Sequence, residues 1–111
     1  MRRGEVWWYE EPDEAPRPWL ILTRDQAVDG LQKLLAAPAT RTVRGIPTEV
    51  PIGPDDGMPV DCVLSLDNTT PIAKVLLRER ITTLNPAKLT DVCRALNAAV
   101  NCSLPHDANR P

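Results

Sequence analysis

The chain contains no phenylalanine, and its aromatic residues amount to three tryptophans and one tyrosine among 111 residues. Three of these four, Trp7, Trp8 and Tyr9, are consecutive, so the first strand is expected to supply a large share of the core. Histidine is represented only by His106, close to the C-terminus, which argues against catalysis by a histidine acid–base pair. The three cysteines, Cys62, Cys93 and Cys102, are odd in number and lack CxxC spacing. They are expected to be buried free thiols and not a disulfide or a zinc site. No His/Cys/carboxylate cluster suggests a metal, and none is expected. No apolar run approaches the length of a membrane span, and the opening MRRGEVWWYEE holds no stretch of secretory-signal type, so a cytoplasmic protein is expected.

Neither sign of charge dominates: 13 Lys and Arg face 15 Asp and Glu, for a formal charge of −2. That balance argues against indiscriminate nucleic-acid binding, which relies on many cations to neutralise phosphates. Acidic residues are nevertheless missing from one stretch. Between Gly30 and Thr48 there is no carboxylate, while Lys33, Arg41 and Arg44 are present, so a local positive strip can exist on a chain whose total charge hides it.

Proline is abundant, with twelve residues lying mainly between the apolar runs. It lacks an amide donor and fixes φ, so this distribution favours a mainly β body with rigid connections over a helical bundle. The length suits one domain over 1–111, with 103–111 a loose tail. Strands are expected over Arg2–Glu10, Trp19–Leu22, Leu34–Ala39, around Val50 and Ile52, over Cys62–Leu66 and over Ile81–Leu84. RDQAVDG and GPDDGMP read as turns, Asp67–Pro71 as a polar strand end, and Lys74–Arg80 as either a helical turn or irregular chain. One helix is expected, with Asn85 as N-cap, Pro86 at its first position and an apolar face formed by Leu89, Val92, Cys93, Leu96, Ala99 and Val100.

Two side chains stand at informative places. Arg17 opens the second strand before Pro18, and Thr40 closes the third after a run of small and apolar residues. In order and spacing, RRGEVWW, RPWLIL, AAPAT, IPTEVPI, GMPVDCVLSLDN and RITTL, followed by the helix, resemble the MazF/PemK toxins. The likeness spans about Arg2 to Val100. It implies a small, curved, SH3-like β-barrel with a C-terminal helix, a homodimer, and a sequence-selective endoribonuclease that inhibits growth and is neutralised by a cognate antitoxin. It also implies that Arg17 and Thr40 are the key arginine and threonine, and that Asp67 and Asn68 are the polar pair at the end of the later strand. Many family members have a longer first loop with a Glu before the arginine. Here the loop is short, which departs from that pattern, and Glu14 is no more than a candidate for that place.

Cleavage of single-stranded RNA to 2′,3′-cyclic phosphate and 5′-OH ends needs no metal when the substrate's own 2′-OH is the nucleophile. Arginine offers a fixed charge and a planar fork of donors to phosphate oxygens, so Arg17 suits stabilisation of the transition state. Thr40 would add a hydroxyl donor. Glu14, Asp67 or a substrate phosphate are the alternatives for the base. Arg24, Arg41, Arg44, Asp67 and Asn68 are candidates for RNA contact. The competing readings are a toxin of the same fold that binds a protein such as DNA gyrase through its helix, and a non-catalytic SH3-like binding module.

Overall fold

A computed structural model describes residues 1–102 of the chain. Its strands are β1 (Glu5–Tyr9), β2 (Arg17–Ile21), β3 (Lys33–Thr40), β4 (Glu49–Ile52), β5 (Cys62–Ser65), β6 (Thr70–Ala73) and β7 (Leu77–Thr83). Two helices complete it, α1 (Asp25–Val28) and α2 (Pro86–Val100). The strands form one antiparallel sheet in the order β4-β5-β3-β2-β1-β7. β3 carries two neighbours along one edge, with β6 opposite Lys33–Ala36 and β5 opposite Ala39 and Thr40. β4 and β7 do not meet. The expected curved SH3-like architecture with a C-terminal helix is present, therefore, as an open sheet and not as a closed barrel.

Successive side chains on a strand point to opposite faces, and both faces of the central strands are apolar. Val6, Leu20, Ala37, Leu64 and Leu66 belong to one buried cluster, which α2 covers with Val92 and Ala95. Tyr9, Ile21, Leu34, Ala36, Ile72 and Leu77 form a second cluster on the other face, joined by Val28 of α1. This two-sided burial explains the unbroken apolar runs of β2 and β3. It also separates the tryptophans. Both Trp7 and Trp8 are half-buried, but Trp7 packs on the second cluster while Trp8, next along the strand, points to the other face.

Asn85 caps α2, its side chain accepting from Lys88 N at 2.8 Å, and Pro86 opens the helix. Gly4 fixes the entry to β1. Its φ is +92°, and a Cβ there would stand 2.9 Å from Leu89 of α2, so a side chain would meet both backbone strain and the helix.

Several expectations need correction. RDQAVDG contains the one-turn helix α1, whose Val28 is buried. The polar stretch after β5 forms a 3₁₀ turn over Leu66–Asn68 and then leads into β6, which was not expected, with Pro71 opposite Leu35. Of the two alternatives for Lys74–Arg80, the helical turn is present at Lys74–Leu76 as a 3₁₀ turn, but β7 starts at Leu77, four residues before the expected strand. The cysteines are free, but only Cys62 is buried; Cys93 and Cys102 are exposed. The tail at 103–111 and His106 lie outside the described residues.

Candidate active site

The register of the sheet places the candidate groups. Trp19 pairs with Pro38 and Leu20 with Ala37, so continuing that register by two residues sets Thr40 across from Arg17. Arg17 and Trp19 share a face of β2, Pro38 and Thr40 the matching face of β3, and Ser65 and Glu49 are cross-strand partners on β5 and β4. This is the face opposite α2.

A cleft of ≈460 Å³ opens here, lined by Arg17, Trp19, Pro38, Thr40, Thr42, Arg44, Glu49, Ser65 and Asn68. Four residues expected from sequence, Arg17, Thr40, Arg44 and Asn68, thus meet in one cavity. A second cleft of ≈330 Å³ adjoins it, lined by Tyr9, Glu11, Glu14, Ala15, Arg17 and Trp19. Arg17 and Trp19 border both, so the two clefts form a groove with Arg17 in the middle and Glu14 along one arm.

The side chains are held unequally. Arg17 is exposed, and among the described residues no carboxylate lies within ion-pair distance of its guanidinium. Thr40 Oγ1 accepts a hydrogen bond from Thr42 N at 3.2 Å, which anchors the oxygen and leaves its proton free to donate. Asn68 Nδ2 donates to Ser65 Oγ at 2.8 Å. Glu49 accepts from Arg44 N at 3.0 Å and Gly45 N at 2.9 Å. Trp19 meets Tyr9 edge-on, with ring centroids 5.8 Å apart.

Three candidates lie elsewhere. Asp67 Oδ2 accepts from Thr48 Oγ1 at 2.6 Å and does not line the cleft. Arg24 sits before α1, at the end of β2 remote from Arg17. Arg41 lines a larger cleft of ≈790 Å³ with Asp55, Asp56, Asp61, Cys62 and Lys88. Within it Lys88 Nζ donates to Pro51 O at 3.0 Å and lies 3.8 Å from Asp56. Burial, with Asp61 and Asp56 nearby, pushes the Cys62 thiol up against the opposing effect of Arg41, so this thiol is not an activated nucleophile. Volume alone does not make this cleft the working one.

Trp19, Thr42, Glu49 and Ser65 were not expected in the site. Their signal was positional. Each faces the groove by strand alternation or loop placement, which becomes readable only once the register is known.

Residues 2–100 match the model of the PemK-like, MazF-like toxins of type II toxin–antitoxin systems. The chain belongs to this family. It is 38% identical over 103 residues to a probable endoribonuclease MazF2 of Mycobacterium tuberculosis, covering 92% of this chain and all of that one. It is 37% identical over 102 residues to a probable endoribonuclease MazF5 of the same species, covering 91% and 94%. Among solved structures, a mycobacterial endoribonuclease in complex with its cognate antitoxin superposes with a TM-score of 0.83 at 28% identity, covering 95% of this chain and 99% of that one. The M. tuberculosis toxin MazF-mt6 gives 0.82 at 31% identity, covering 90% and 99%. This MazF-like chain therefore shares the family's fold over nearly its whole described length.

Proposed function

We propose that this chain is the toxin of a type II toxin–antitoxin pair and a sequence-selective, metal-independent endoribonuclease acting on single-stranded RNA. The observation that carries the reading is the convergence of Arg17, Thr40, Arg44 and Asn68 on one cleft, in a chain whose relatives are named endoribonucleases. The arrangement suits a phosphodiester. Arg17, unpaired among the described residues and central in the groove, is placed to hold non-bridging phosphate oxygens and the charge that grows on them during attack by the 2′-OH. Thr40 donates its free hydroxyl proton to the same group. The carboxylate of Asp67 is engaged by Thr48, whereas Glu14 borders the groove beside Arg17 and is the candidate to accept the 2′-OH proton.

The half-buried Trp19, at the junction of the two clefts, offers a surface for a splayed base, and Asn68 and Arg44 offer edge or backbone contacts. The products are a 2′,3′-cyclic phosphate and a 5′-OH end, and the consequence is inhibition of translation and growth. The protein works as a single cytoplasmic toxin domain, as a homodimer, restrained by a cognate antitoxin whose acidic segment folds onto the groove. Among the described residues no helix is long and apolar enough to cross a membrane.

The test is the initial rate of cleavage of a single-stranded RNA in EDTA. Arg17→Ala should lose about 10²- to 10³-fold in rate, the scale for removing one preorganised donor to a developing oxyanion. Thr40→Val should lose roughly tenfold, the scale of one neutral hydrogen bond. A folded Arg17→Ala protein cutting at the parental rate would remove Arg17 from the reaction.

A further inference from the structure

Glu49 is an unexpected occupant of the groove. A carboxylate in a cleft that receives a polyanion repels its ligand, yet Glu49 lines the same wall as Arg17, Thr40 and Arg44. Its bonding explains its presence. The carboxylate accepts Arg44 N at 3.0 and 3.3 Å and Gly45 N at 2.9 Å, and the Glu49 amide donates to Ile46 O at 3.0 Å. The segment from 41 to 48 has little else to hold its centre. Its two large apolar residues, Val43 and Ile46, are 64% and 39% exposed, and the remaining contacts lie at its ends, at Thr42 and Thr48. Gly45 adopts a φ of +69°, which turns its amide toward the same carboxylate at no steric cost.

We propose that Glu49 is a positioning residue for RNA binding: its carboxylate clamps the Arg44–Gly45 amides and so holds the segment that presents Thr42 and Arg44 to the substrate. The proposal rests on the ribonuclease reading. Glu49 is placed as a clamp and not as the base of the reaction, because its carboxylate oxygens are already engaged by the Arg44 and Gly45 amides. Its negative charge is spent on the loop and is thereby partly masked from the phosphates.

The experiment compares wild type, Arg17→Ala, Glu49→Gln and Glu49→Ala. Steady-state cleavage of a single-stranded RNA is read over pH, and amide hydrogen exchange of the 41–48 segment is read without RNA. Glu49→Ala should exchange at Arg44 and Gly45 at least tenfold faster and raise KM about tenfold, with kcat held within about twofold. Glu49→Gln keeps one acceptor oxygen and should fall between the two. A protein merely destabilised would lose active fraction, and hence apparent kcat, at constant KM. Unchanged exchange in Glu49→Ala, or an unchanged KM, overturns the clamp. A loss of kcat as deep as that of Arg17→Ala, together with loss of the acidic limb of the pH profile, also overturns it and makes Glu49 a catalytic residue. A wild type that cuts no RNA defeats the ribonuclease reading alone, since the exchange arm still judges the clamp.

Discussion

Glu5 shows how single residues set both stability and its dependence on pH. Its side chain is 9% exposed, and burial by itself would raise its pKa. The hydrogen bonds from Trp7 Nε1 and Arg2 N, the N-terminal ammonium and Arg80 outweigh burial and hold the carboxyl below its ordinary value. A carboxylate whose pKa is lower folded than unfolded stabilises fully above the unfolded value and loses that contribution as pH falls through the folded one. Stability should therefore decline below about pH 4.5, the ordinary value, and Glu5→Gln should flatten the decline. At pH 7 the same substitution should cost about 2 kcal/mol, the scale of hydrogen bonds to a charged group. Chemical denaturation across pH 3–7 measures both. Residues differ in how far the sequence announces them. The positions of Arg17 and Thr40 at strand ends were legible because those ends are marked by Pro18 and by the end of an apolar run. Glu49 was not, because its partners are backbone amides of a loop, and nothing in a sequence records where an amide points.

At the scale of elements, the strands with strong apolar runs and the proline-led helix were readable, whereas β6 and α1 were not. β6 is TPIA, with a proline and a threonine exposed and only Ile72 buried. Its strand character comes from pairing with Lys33–Ala36 of β3 and not from its own composition. α1 is a single turn fixed by burying Val28 under the second cluster, too short for periodicity to appear. The helix α2 makes a sharper prediction. It lies on the face opposite the groove, so removing its cap with Asn85→Ala should lower stability by about 1 kcal/mol and leave the cleavage rate of the folded protein unchanged. Thermal melts alongside initial rates measure this. A rate loss in the folded variant would show that the helix face takes part in the reaction, as a toxin acting through its helix would require.

At the scale of the whole molecule, an open antiparallel sheet covered by a helix on one side leaves a groove on the other. The curved SH3-like fold that the resemblance implied is present with its sheet not closed: β3 uses one edge for two partners and leaves β4 and β7 apart. The total charge of −2 is reconciled with an RNA ligand by local arrangement, with Arg17 and Arg44 in the cleft while the acids Asp55, Asp56 and Asp61 line another surface. In the proposed reaction this groove cuts RNA through the substrate's 2′-OH with Arg17 stabilising the charge. End-mapped sequencing of RNA incubated with the purified protein in EDTA, beside Arg17→Ala, tests it most directly. Wild-type protein should give cuts concentrated at one short motif, bearing 5′-OH and 2′,3′-cyclic phosphate ends and absent with the variant. Intact RNA from folded wild-type protein, or the same cuts from both proteins, would contradict it.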